Sequence, residues 1–182
     1  MKNILLGITG SIAAYKACEL IRLFRKKGYG VRCAMTKDAR HFITTLTLET
    51  LSGKKVAGDM FKRPHTADPE HISLADEADI ILIAPATYDV IGKIASGISD
   101  DILTCAVAAA SCPVVLAPAM NDRMYLNPII KDKTAYLKEK GYSFISPIKG
   151  RLACDRDGIG HLAPPREIVD RTEAILAERT GS

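Results

Sequence analysis

Residues 79–84, Asp-Ile-Ile-Leu-Ile-Ala, form a near-continuous apolar run, too short for a helix and lacking the alternation of a half-exposed strand. A run of this kind reads as a strand covered on both faces, which belongs in a parallel sheet sandwiched by helices. Comparable runs occupy 3–9, 30–36 and 113–117, with a shorter one at 143–146. Between them the pattern turns helical at 11–27, 37–51, 70–77, 88–95, 100–110, 128–140 and 166–178, and Gly28 and Gly141 stand where two of these helices should stop. The stretch 53–69 loses the pattern and reads as a loop with a short strand near 55–56. This β-α alternation predicts an α/β fold in one domain over 1–182, with a doubly wound, mostly parallel sheet and helices on both faces.

Ligands on such sheets bind beyond the carboxyl ends of the strands. Five segments hold those positions: Gly10-Ser11, Thr36-Lys37, Pro85-Ala86-Thr87, Pro118-Ala119-Met120-Asn121 and the glycine-rich loop 150–160. At the first of them a strand breaks at Gly-Ser and becomes an alanine-rich helix. Backbone N–H groups and the Ser11 hydroxyl then meet at the positive end of a helix, which suits a phosphate; Ser11 is equally a good N-cap. Gly7 and Gly10 do not make the dinucleotide fingerprint, no acid ends the second strand to hold a ribose, and no P-loop is present. A mononucleotide with a single phosphate fits better, on a Rossmann-like (flavodoxin-like) sheet.

Composition removes other classes. The net charge of +4 is modest, and aromatics are 5% with no tryptophan, which disfavours a nucleic-acid stacking surface. Apolar windows break well before the ~20 residues of a membrane span, and Met1-Lys2-Asn3 leads directly into a strand rather than a leader. Five cysteines, odd in number and irregular in spacing, argue against a disulfide framework or a zinc site and for a reducing cytoplasm. Cys18, Cys33, Cys105 and Cys112 read as packing residues.

Four motifs in order, Gly-Ser-Ile-Ala-Ala-Tyr-Lys at 10–16, Pro-Ala-Thr at 85–87 followed by Ile-Gly-Lys-Ile-Ala-Ser-Gly-Ile-Ser-Asp-Asp at 91–101, Ala-Pro-Ala-Met-Asn-Asp-Arg-Met at 117–124 and Gly-Arg-Leu-Ala-Cys at 150–154, resemble the homo-oligomeric flavin-containing cysteine decarboxylases. The resemblance covers essentially the whole chain and implies a single flavin-binding decarboxylase domain with FMN as cofactor. It implies decarboxylation of phosphopantothenoylcysteine to phosphopantetheine in coenzyme A biosynthesis, in a homotrimer or homododecamer. Peptidyl-cysteine decarboxylases, flavin prenyltransferases and non-catalytic flavin-binding regulators share the fold. Cys154 weighs against the first, and the Ser-Ile-Ala-Ala-Tyr after Gly10 against the second.

Carried onto this sequence, the resemblance puts the FMN phosphate at Gly10, Ser11 and Ile12 and lines the flavin with Thr36, Lys37, Thr87, Tyr88, Asp89, Val90 and Ala119. His71 falls on the catalytic base, Asn121 on the carboxylate-binding asparagine and Cys154 on the acid of the reductive step, with Met120 and Met124 shaping the substrate pocket. The chemistry asks for such groups. A cysteine carboxylate in peptide-like linkage loses CO2 only when the neighbouring carbon can accept electrons, as it can once the thiol carbon is oxidised to a thioaldehyde. Plain readings stand beside these: His71 as a surface helix residue, Asn121 as an Asx turn, Cys154 as a small packing residue. The chain also departs from the family, with Tyr88-Asp89-Val90 in place of the usual Ala-Asn-Thr and His161 in place of an arginine. An ionised aspartate only accepts hydrogen bonds, so Asp89 would repel a phosphate and suit a ribityl hydroxyl.

Overall fold

The computed structural model describes residues 1–61, 69–151 and 157–178. Strands β1 (Asn3–Ile8), β2 (Gly30–Met35), β3 (Ile80–Ala86), β4 (Val114–Pro118) and β5 (Ser143–Phe144) form one sheet in the order β2-β1-β3-β4-β5, with every neighbouring pair parallel. The helices are α1 (Ala17–Lys26), α2 (Thr45–Ser52), α3 (Glu70–Glu77), α4 (Tyr88–Ala95), α5 (Ile102–Ala109), α6 (Asp122–Tyr125), α7 (Pro128–Glu139) and α8 (Pro165–Glu178). This is the flavodoxin-like strand order, whose direction of winding reverses between β1 and β3.

The apolar runs are continuous because both sides of each strand are buried. Ile4, Leu6 and Ile8 of β1, with Leu82 of β3 and Val115 of β4, pack under Leu20, Ile21 and Phe24 of α1, Leu48 of α2 and Ile168 of α8. Their alternates Leu5, Ile81, Ile83 and Leu116 pack under Leu74 of α3, Val90 and Ile91 of α4, Leu103 and Val107 of α5 and Ile130 of α7. Gly7 belongs to this packing: a Cβ there would fall 2.6 Å from Leu103 Cδ1, so glycine lets α5 settle against β1.

Several segments differ from the sequence expectation, among them α6, which the sequence did not announce. Residues 12–16 wind as a 3-10 turn before α1 begins, with Ser11 as N-cap. The helix expected over 37–51 is two pieces, a 3-10 turn at Asp38–His41 and then α2. The first ends at His41, capped by Phe42, and Thr44, with extended backbone, starts the second, its hydroxyl accepting the Thr47 N–H at 3.3 Å. The glycine-rich stretch 150–160 contains most of an antiparallel ribbon, β6 (Ile148–Arg151) against β7 (Asp157–His161). The short strand near 55–56 is a single parallel bridge between Ala34 and Ala57. Among the described residues no helix is long and apolar enough to cross a membrane.

Candidate functional site

The ends of β1 and β3 are tied by one buried hydroxyl. Thr9 Oγ1 donates to the Pro85 carbonyl at 2.6 Å and accepts the Thr87 N–H at 3.1 Å, and the residue is 0% exposed. Thr9→Val keeps the shape and leaves both backbone groups unpaired, at about 1–3 kcal/mol for a buried polar group without a partner. For a chain of this size we expect Tm to fall by about 2–12 °C; an unchanged melting curve would show that the strand ends hold without this hydroxyl.

A cleft of about 260 Å³ opens over these tied ends, lined by Gly10, Ser11, Thr36, Asp38, Thr87, Tyr88, Asp89, Val90, Ala119, Met120 and Met124. Two capped turns start at it. Ser11 Oγ accepts the Ala13 N–H at 3.2 Å at the head of the 3-10 turn, and Thr87 Oγ1 accepts the Val90 N–H at 3.4 Å at the head of α4. Their hydroxyls and the positive start of α4 suit an anion, while Val90, Ala119, Met120 and Met124 offer apolar wall. Gly10 is fixed by crowding, since a Cβ there would come within 2.7 Å of Asp38 Cβ. The lining therefore combines hydroxyls and a helix start that suit an anion, the carboxylates of Asp38 and Asp89 that accept from hydroxyls, and an apolar wall. At about 260 Å³ the cleft lies just under the roughly 300–1,000 Å³ of enclosing pockets, so a ligand there stands partly out of it.

Most residues expected at a flavin gather here, with exceptions. Ile12 and Lys37 do not line the cleft: the Ile12 side chain is 65% exposed, and Lys37, at the head of its 3-10 turn, gives its place to Asp38. Asp38 had no signal in the sequence beyond standing three residues past the end of β2. Asp89 does line the cleft, but its carboxylate turns to Lys93 one helical turn on, at 3.4 Å, and Lys93 also meets Asp100 at 3.1 Å. Partial burial pulls the Lys93 pKa down, and its hydrogen bond to Asp100 with the charges of both aspartates outweighs this and raises it. With Asp89 62% exposed the Asp89–Lys93 pair adds only about 0.3–0.5 kcal/mol; its effect is to turn part of the negative charge away from the cleft.

Asn121 caps α6, where its Oδ1 accepts the Arg123 N–H at 2.9 Å. The cap uses the side-chain oxygen, as the Asx-turn reading expects, whereas the carboxylate-binding reading calls on the NH2 end. The ribbon docks on this loop: Met120 N–H donates to the Gly160 carbonyl at 3.0 Å, and α6 packs on β7. Cys154 lies outside the described residues; β6 and β7 flank the segment that contains it. His71 is half-buried in the first turn of α3, which packs on α5, and it is not among the residues lining the cleft. The structure therefore gathers the expected cofactor contacts other than Ile12 and Lys37, together with Met120 and Met124, and leaves His71 apart from them.

A larger hollow, about 430 Å³, lies between the C-terminal ends of α4 and α7, lined by Ala95, Gly97, Tyr136, Leu137, Lys140 and Tyr142 among others. It sits about 12 Å along α4 from the cleft and offers one lysine, two tyrosines and a serine as chemistry, so volume alone does not pick the site. Of the four cysteines read as packing residues, Cys33 is buried and Cys18, Cys105 and Cys112 are partly buried. Burial pushes the Cys33 thiol up to about 12, with Cys18 nearby adding to the rise, and a thiol held neutral is a poor nucleophile.

Comparison with known proteins agrees with this geometry. The family model described as Flavoprotein matches residues 1–177. The chain is 44% identical over its full length to the coenzyme A biosynthesis bifunctional protein CoaBC of Bacillus subtilis, of which it covers 45%, and 37% identical over 96% of its length to that of Mycolicibacterium smegmatis, of which it covers 42%. The chain thus spans less than half the length of these curated relatives. Among solved structures it resembles a cysteine-to-serine PPC decarboxylase mutant complexed with pantothenoylaminoethenethiol, at 34% identity and a TM-score of 0.85 over 95% of this chain and 97% of that one. The FMN binding protein AtHal3 is similar at 34% identity and a TM-score of 0.82, with 95% of each chain covered. Sheet order, cleft and sequence likeness agree: the chain belongs to the flavoprotein family.

Proposed function

We propose that this chain binds FMN in the β1/β3 cleft and decarboxylates phosphopantothenoylcysteine to phosphopantetheine in coenzyme A biosynthesis, in the reducing cytoplasm. The observation that carries the reading is the convergence of Ser11, Thr36, Thr87 and the start of α4 on one cleft with an apolar wall. Gly10, Ser11 and Thr87 would hold the phosphate; Asp38 and Asp89, which accept but do not donate, suit the ribityl hydroxyls; Val90 and Ala119 would face the ring. Once bound, FMN supplies a two-electron acceptor and donor, the chemistry no side chain offers.

The chain's own groups supply the rest. His71 takes the proton as the substrate's CH2–SH becomes a thioaldehyde. Asn121 orients the carboxylate through hydrogen bonds without a positive charge that would oppose its departure. When CO2 leaves, its bonding electrons pass into the C=S group and give an enethiolate, which Cys154 protonates as the double bond is reduced. The solved complex of a cysteine-to-serine PPC decarboxylase mutant with an aminoethenethiol supports this order, because an enethiol is what remains when decarboxylation runs and reduction does not.

A homotrimer or homododecamer completes the site in this reading. His71 is not among the residues lining the cleft of its own chain, and Ile12, Tyr15 and Leu46 expose 65%, 60% and 71% of themselves, apolar surface that a second copy would cover.

Purified protein should be yellow, release CO2 from phosphopantothenoylcysteine and form phosphopantetheine. Cys154→Ser should still release CO2 and accumulate the enethiol. Colourless protein that takes up no added FMN sinks the cofactor assignment, and full reduction by Cys154→Ser removes the thiol from the mechanism.

A further inference from the structure

The first turn of α3, which carries His71, has little of its own to hold it. Its N-cap is Pro69, which makes no side-chain capping bond, and the buried residues of the helix are Leu74 and Ala75, further along. The amides of Ile72 and Ser73 both donate to the single Pro69 carbonyl, at 3.0 and 3.2 Å. An eight-residue helix held only at its middle frays at its ends.

The geometry points to Arg32 as the residue that positions this turn. Arg32 stands on β2 opposite Leu5 of β1, and Leu5 packs in the same layer as Leu74 of α3, so the arginine emerges on the face that α3 covers. Its Nη2 meets Glu70 Oε1 at 3.2 Å and its Nη1 meets Glu77 Oε2 at 3.0 Å. Glu70 and Glu77 are seven residues apart, two turns on one helix face, so one planar guanidinium spans both ends of the helix. A lysine could not fork in this way. The pair with Glu70 is the more sheltered, with that glutamate 35% exposed against 55% for Glu77, and Glu70 is the residue next to His71. Arg32 thus sets the register of His71 through Glu70, while Glu77 fixes the far end.

The value of this clamp to turnover rests on the role given to His71 above; its effect on the helix does not. The test compares Glu70→Gln with Glu77→Gln in the full chain, each of which removes one arm of the same arginine. Hydrogen exchange of the Ile72 and Ser73 amides should quicken about fivefold in Glu70→Gln and stay within about twofold of wild type in Glu77→Gln, the scale of one partly sheltered ion pair. Turnover of phosphopantothenoylcysteine should follow, with kcat about fivefold lower and KM within about twofold for Glu70→Gln only. Equal effects of the two variants, or unchanged exchange in Glu70→Gln, overturn the proposal. The exchange pattern decides it even for a protein without turnover, an outcome that would instead refute the proposed reaction.

Discussion

His71→Gln should lower turnover of phosphopantothenoylcysteine by about two to four orders of magnitude, the usual contribution of a positioned acid–base group, with FMN content unchanged. Glutamine keeps the size and polarity of the side chain but has no basic nitrogen to take the substrate's proton. FMN should stay bound because His71 is not among the residues lining the β1/β3 cleft. The same separation gives the experiment a second arm. Asn121 follows β4 next to the cleft-lining Met120, so a chain lacking His71 and a chain lacking Asn121 should complement each other when mixed and reassembled. Recovered turnover in the mixture puts the base in the neighbouring copy. Inactivity of a properly assembled mixture refutes a site shared in this way, and full activity of His71→Gln alone returns His71 to the surface of α3.

The sheet was legible because its strands are buried on both faces: Ile80, Ile81, Leu82 and Ile83 are all 0% exposed, which makes them a continuous apolar run and not an alternating one. The cleft was legible for a related reason. Once the strands are placed, their carboxyl ends name themselves, and Gly10, Ser11, Thr36, Thr87 and Ala119 do gather there. What escaped depends on contacts distant in sequence or on a local change of winding. The 3-10 turn after β2 presents Asp38 at the cleft and not Lys37, and a propensity reading over 37–51 sees only a helix. The ribbon β6–β7 reads as a loop because Gly150, Gly158 and Gly160 depress every strand signal. The position of His71 follows from the docking of α3 on α5 and Arg32, which no pattern within residues 70–77 announces.

Gly160→Ala should uncouple the ribbon from the Asn121 loop and leave the sheet intact. Gly160 has φ +152, a conformation that side-chain-bearing residues rarely adopt, and a Cβ there would be driven into the Met120 carbonyl. The same contact carries the 3.0 Å bond from Met120 N–H to Gly160 O, so strain and a lost buried hydrogen bond act together, at about 3 kcal/mol by the usual magnitudes. Two responses compete: the whole domain loses that stability, or the ribbon detaches. An isolated two-stranded ribbon is marginal in water, whereas the five-stranded sheet keeps both of its buried layers whichever way the ribbon moves. Detachment is the cheaper outcome. We therefore expect Tm to fall by less than about 3 °C, against about 6–12 °C if the full cost fell on the domain, with exchange quickened over residues 148–151 and 157–161. Turnover should fall about tenfold or more, since Cys154 is carried between these two strands and Asn121 caps α6 beside the docking point. A large drop in Tm without selective exchange would show that the ribbon unfolds with the sheet as one unit. Unaltered turnover would separate the ribbon, and Cys154 with it, from the chemistry.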